Sequence, residues 1–226
     1  MRRIGTLGLI AGCLLAAIGC VATPQPIVIS QTPGQVIEVR YDAGAGGGHA
    51  HPAAVALPQL TAILKGVYIR GRDVTGTAGI LWGGDSEPAF TEKDISQIAP
   101  HLITGLAKAS PVDLVTFHLS QRDTNRASLI TSGGLFVRNG HLYLILANAR
   151  TSLSSVQYEN VSEPNSTSNP LLPIARYKFS VGMLPADWRV ENSAAKRMDG
   201  WNGYLDESKV VVVDLARVTP SQKQTP

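Results

Sequence analysis

The sequence predicts a single α+β domain: a mostly antiparallel β-sheet with one main helix, kinked at a proline, packed on a face. Three observations carry this. Residues 112–150 hold strand-like runs joined by a polar turn and by Asn139-Gly140, the pattern of a three-stranded antiparallel meander. Residues 92–109 place Ile95, Ile98, Ala99, Leu102 and Leu106 on one helical stripe. Val210 to Val213 is β-branched throughout, which predicts a strand buried on both faces and near the centre of the sheet.

Taken in chain order, Val36 to Tyr41 has strand character. Gly44 to Pro52, with Gly46-Gly47-Gly48 and His49-Ala50-His51 inside it, can bury little surface and reads as flexible. Residues 20–55 are therefore expected to form a tether, and residues 56–218 the folded domain, followed by a disordered tail over 219–226. Leu64 to Arg72 and Gly79 to Trp82 read as short strands. Thr91 opens the helix, with Asp94 at capping-box spacing. Pro100 removes a helical N–H and clashes with the preceding turn, so a kink or a two-piece helix is expected there. Ser110-Pro111 ends it.

In the meander, Asn-Gly supplies the two positive φ angles of a type I′ turn. Gly133-Gly134 in the middle strand predicts a bulge or a close backbone approach. His141 to Asn148 is apolar on both faces and is expected to be covered on both sides. Ser152 to Pro170 is a polar loop longer than the ~12–15 residues usually left without structure. Arg176 to Val181, a stub at Trp188 to Val190 and a short helix at Ser193 to Met198 complete the expected elements.

The start of the chain carries an address. Met1-Arg2-Arg3 is basic, Ile4 to Gly19 has no charge, and the run ends Leu14-Leu15-Ala16-Ala17-Ile18-Gly19-Cys20. This order of basic, apolar and small residues is that of a cleaved export signal. With its cysteine it resembles the lipobox of bacterial lipoproteins, although Ala17 stands where the box usually has Leu. The resemblance covers about twenty residues, and the remaining domain resembles no family. It implies that residues 1–19 are removed, that Cys20 is acylated, and that the protein is held on a lipid bilayer in the cell envelope. In a host with two membranes, Val21 in place of a retention aspartate implies the outer membrane, facing the periplasm. Alternative readings are a frame ending at Cys13, a plain secretory signal cut near Ala22, and an uncleaved anchor, the last being short against a span of ~20 residues.

Composition excludes several classes. Cys13 and Cys20 are the only cysteines, so the mature domain has no disulfide and no cysteine-based metal or haem site. Arg2 and Arg3 belong to the leader, and without them the whole-chain net charge of +3 falls to about +1. No basic cluster suggests nucleic acid.

The candidate chemistry is sparse. His49 and His51 are two potential metal ligands without a third, so they read as part of a solvated linker, and no metal or cofactor is expected. His118, with Arg122 and Asp123, reads as a polar strand end, since no partner within reach marks a general base. Ser132 lies inside a hairpin strand, not on a nucleophile elbow. Gly83 to Glu87 lacks the spacing of a calcium loop. Trp82, Trp188 and Trp201 are the three tryptophans. Trp201 and Tyr204, following Arg197, form a possible partner-binding patch of residue types common in hot spots. No catalytic residue is assigned. The expected function is non-catalytic: a membrane-anchored lipoprotein that binds or supports another envelope component in an accessory or assembly role, with an envelope protein as the expected partner. The alternatives are an envelope enzyme acting on a cell-wall or lipid substrate, and a carrier of lipid or a small ligand.

Overall fold

A computed structural model describes residues 24–46, 48–71, 86–122, 128–153, 169–174, 179–190 and 207–219. The architecture is α+β, mostly antiparallel sheet with two helices. Among the described residues, nine strands lie at Ile27–Thr32 (β1), Gln35–Tyr41 (β2), Val67–Arg70 (β3), Glu87–Pro88 (β4), Asp113–Arg122 (β5), Ser128–Arg138 (β6), His141–Leu153 (β7), Ser180–Met183 (β8) and Val210–Asp214 (β9). The helices are Leu57–Gly66 (α1) and Glu92–Lys108 (α2). The main sheet has the order β1-β2-β5-β6-β7-β9, and a smaller one has the order β4-β3-β8.

The meander forms as its turn chemistry requires. β5, β6 and β7 pair antiparallel in sequence order. Asn139 and Gly140 both have positive φ, 51° and 75°, the requirement of a type I′ turn. The β6–β7 register shifts between Ile130 and Gly133, so the expected bulge is present. A Cβ on Gly133 would lie 2.0 Å from the carbonyl oxygen of Ile145, so the close approach is present too.

α2 starts on a complete capping box. Thr91 Oγ1 accepts from the Asp94 amide, and Asp94 Oδ2 accepts from the Thr91 amide. Gln121 of β5 donates to the other Asp94 oxygen, which ties the helix start to the sheet. Ile95, Ile98, Ala99, Leu102 and Leu106 are all buried, against Ile37, Val39, Val115 and Phe117 of the sheet. Each isoleucine and leucine among them contributes about 1.5–3 kcal/mol by leaving water. Pro100 sits on the exposed side of one unbroken helix, so the two-piece form does not occur.

Four expectations need correction. First, residues 27–46 and 48–55 are not a flexible tether. β2 pairs with β5 along its whole length, and His49 and His51 are only 5% and 6% exposed. Second, α1 occupies the start of the expected Leu64–Arg72 strand. Leu60, Ile63 and Leu64 form its buried side, and it packs on α2. Third, β9 is buried on both faces but is the last strand of its sheet, not a central one. Its outer edge meets Arg189 and Val190, whose amide donates to the Val212 carbonyl. Fourth, His118 is no strand end, because β5 continues to Arg122 and His118 is 9% exposed.

The Gly79–Trp82 strand, the Gly83 turn, the Ser193–Met198 helix, most of the Ser152–Pro170 loop, the leader with Cys13 and Cys20, and the tail from Pro220 lie outside the described residues. So does the patch of Arg197, Trp201 and Tyr204. Among the described residues, no helix is long and apolar enough to cross a membrane.

Candidate functional site

The two faces of the main sheet differ in chemistry because side chains alternate along each strand. The odd-numbered residues of β2 and β5 face the helices. The even-numbered ones (Val36, Glu38 and Arg40, with Leu114, Thr116 and His118) share the opposite face with Ser132 and Phe136. Near β9 this second face is apolar, with Leu114, Phe136, Tyr143, Ile145, Leu171, Val210 and Val212 in one cluster. Toward β1 it becomes polar and stays buried.

Glu38 is almost wholly buried, and its Oε2 takes the Arg40 guanidinium at 2.8 Å. Its Oε1 is buried with no hydrogen-bond partner. His118 stands between Val36 and Ser132, directly opposite each across the strands. Its Nε2 is likewise buried and unpartnered. Ser132 does not serve it. Ser132 Oγ donates to the Pro170 carbonyl at 2.7 Å and accepts from Asn148 Nδ2 at 2.8 Å. Asn148 in turn holds Leu172 and Ile174 by their backbones, so this pair fastens residues 170–174 over the sheet. The serine hydroxyl is committed to structure and is not poised as a nucleophile.

His118 and Ser120 also line a cleft of about 340 Å³ beneath the β1–β2 turn. Gln31, Thr32, Pro33, Gly34, Gln35 and Val36 form its other walls. Gln31, Thr32, Gln35 and Ser120 are its amide and hydroxyl residues, and Pro33, Gly34 and Val36 its apolar ones. Its lining has no Asp, Glu, Lys or Arg.

A second histidine cluster closes the end of the sheet. His49 Nε2 and Asp42 Oδ2 lie 2.8 Å apart, both side chains buried. The His49 ring lies 4.0 Å from that of Phe136, which stacks on Tyr143. His51 Nδ1 faces the Leu106 carbonyl at 3.3 Å, and its Nε2 is 3.4 Å from the Val137 amide. Arg138 reaches the Gly48 and Ala45 carbonyls. These contacts bind the glycine-containing loop to α2 and β6. Among the described residues no group of three or more His, Cys, Asp or Glu could hold a metal.

Burial lowers the pKa of His118, and burial first lowers that of His51 as well, with His49 adding to the effect. Both groups therefore bind protons less readily folded than unfolded. Their contribution to stability is complete above an unfolded pKa of about 6.5 and is lost as pH falls through the lowered folded values. The urea midpoint is expected to drop between about pH 7 and pH 5, and His118→Asn to reduce the drop. A midpoint unchanged over that range contradicts neutral burial.

Trp188 is the one tryptophan among the described residues. It lines a second groove of about 490 Å³, beside Tyr68, Lys65 and Leu184. Sequence reasoning missed the cleft at His118, because its walls come from a turn near residue 33 and a strand near residue 118. It also missed the Asp42–His49 contact. There the signal was an aspartate at the end of a strand followed by a loop with two histidines.

No family model, curated protein or solved structure matches the chain.

Proposed function

We propose that this is a lipid-anchored envelope protein without catalytic activity, which holds another envelope protein through the open edge of its main sheet. The observation that carries this reading is the outer strand β1. No described strand pairs with its outer side. Its sequence, Ile27-Val28-Ile29-Ser30-Gln31-Thr32, has no charge and no proline, and Ile27 and Val28 are 58% and 46% exposed. Soluble proteins usually blunt such an edge with charge, proline or a covering segment, because it templates strand addition. Here only a bulge at Ile29 interrupts it. An added strand would lie along Ile27–Val28 or Ser30–Thr32.

The leader supports the location. A lipobox-like Cys20 stands seven residues before Ile27, a reach of at most ~25 Å. Each acyl methylene buried in a bilayer contributes about 0.8 kcal/mol, so two or three chains give near-permanent attachment. The edge would then work close to the membrane surface.

The test is site-specific photocrosslinking in cells at Ile27 and Val28, with Gln97 on the exposed side of α2 as the control. One protein adduct is expected from β1 and none from α2. Cys20→Ser is expected to abolish acyl labelling, release the protein from the membrane fraction and reduce the adduct. Equal adducts from both faces would remove the edge from the reading. Membrane retention of the serine variant would remove the anchor.

A further inference from the structure

We infer that His51 is an acid-sensitive latch: a proton added to its imidazole frees residues 48–53 from β6 and α2 while the main sheet stays folded. This device is independent of the docking edge. The donors and acceptors around the ring carry it. Leu106 stands in the last turn of α2, where carbonyls have no partner within the helix. Its oxygen accepts from the Ala53 amide at 2.9 Å and faces His51 Nδ1 at 3.3 Å. On the other side of the ring, the Val137 amide of β6 donates to His51 Nε2 at 3.4 Å. An amide N–H can only donate and a carbonyl can only accept. Nδ1 therefore carries the proton, Nε2 keeps its lone pair, and the ring is neutral.

A second proton has to go on Nε2, where it meets the Val137 N–H. One hydrogen bond is lost, two donors face each other, and a charge is left on a residue only 6% exposed. The neighbouring groups do not reverse this. His49, whose ring lies 5.8 Å away, opposes the charge and is itself held by Asp42 of β2. Arg138 of β6 lies on the Gly48 and Ala45 carbonyls, and the last turn of α2 carries Lys108. Tyr143 of β7 stacks behind Phe136. Burial outweighs the Leu106 carbonyl and the Asp113 carboxylate of β5, which favour the charged ring, so the His51 pKa is lowered.

The release is local because of what residues 48–53 replace. The pairing of β5 with β6 ends at Val115 and Leu135. Beyond that point the loop takes the place of β5: the Ala50 amide donates to the Val137 carbonyl at 2.7 Å, and His51 takes the Val137 amide. Among the described residues, no strand pair of the main sheet includes residues 48–53. Opening them bares the Val137 backbone and the face of Phe136 against His49, and breaks no strand pair. In acid the protein gains a short free sheet edge with an aromatic ring beside it.

The experiment is hydrogen exchange of the full chain between about pH 7.5 and pH 5, read by mass spectrometry and corrected for the intrinsic rate at each pH. Residues 48–53 include the amides of Gly48, His49, Ala50 and Ala53, each bonded to a backbone carbonyl. One proton taken up on opening makes their protection fall about tenfold per pH unit below about 6.5, until the lowered folded pKa is reached. At about pH 5 they are expected to exchange at least about tenfold faster than residues 142–147 of β7. His51→Gln should make the loop's protection independent of pH, and His118→Asn should leave its pH dependence intact. Three results would overturn the latch: protection of residues 48–53 that does not change with pH, exchange in step with β7 at every pH, or a pH dependence that survives His51→Gln. The parent also tests it without any variant, by the nitrogen resonances of the His51 imidazole. Nδ1 protonated near neutral pH is expected, and a proton on Nε2 there overturns the inference.

Discussion

Gly133→Ala is expected to cost about 3–5 kcal/mol and to leave little soluble protein, a large effect for a single methyl group. The added Cβ would lie 2.0 Å from the Ile145 carbonyl oxygen and 3.0 Å from the Phe117 ring. The first contact is with backbone, and that backbone belongs to β7, which is paired on both sides. It can retreat only by opening ladder hydrogen bonds at the bulge. A domain of this size has about 5–15 kcal/mol of stability, so the loss would take a large share. Gly46→Ala is the comparison. There a Cβ meets nothing within 4 Å, and the strain comes only from a φ of +55°, worth roughly 1–2 kcal/mol. Urea unfolding of the two variants should separate them clearly. Similar midpoints would mean that β7 yields where its pairing on both sides should hold it.

His49→Ala and Asp42→Ala are each expected to cost about 3 kcal/mol, with a coupling above ~1 kcal/mol in a double-mutant cycle. Removing the imidazole takes the 2.8 Å contact from the buried Asp42 Oδ2 and strips a ring from Phe136. Removing the carboxylate leaves His49 with both ring nitrogens unserved, since Nδ1 already has no partner. The same substitutions in a solvated linker would fall within about 0.5 kcal/mol of the parent. Chemical denaturation therefore decides directly whether residues 42–52 belong to the folded domain. Losses near zero would restore the tether.

That loop shows where a sequence window stops being informative. Gly44 to Pro52 is full of small residues and looks unable to bury surface. Its burial comes from groups far along the chain: the Leu106 carbonyl, the Val137 amide, the Phe136 ring and the Arg138 guanidinium. No local composition reports them. The meander is legible for the opposite reason. Its pairing is between neighbours in sequence, and Asn139-Gly140 and Gly133 dictate local geometry by their own backbone preferences. The α2 stripe and the Thr91 cap are legible on the same grounds. α1 is hidden because the apolar spacing of Leu57, Leu60, Ile63 and Leu64 runs straight into the alternation of β3, so that one strand pattern spans the junction. β9 shows a third kind of error. Four buried valines do mean cover on both faces, but cover is not position, and here Arg189 and Val190 lie along the sheet's end. The cleft at His118 combines these difficulties, since it needs both the β2–β5 register and the β1–β2 turn.

β1 and β9 are the two outer strands of the main sheet, five interstrand spacings or about 24 Å apart. Ile27 shares a row with Val39, Val115, Leu135, Leu144 and Val211, and Asp214 stands only three residues beyond Val211. A force drawing these two strands apart therefore runs across the sheet, along its hydrogen bonds. Such a load opens the pairs one after another, like a zip, and never shears a whole ladder at once. Under tension the protein has a soft axis, because every ladder between β1 and β9 carries the load in the direction in which it yields pair by pair.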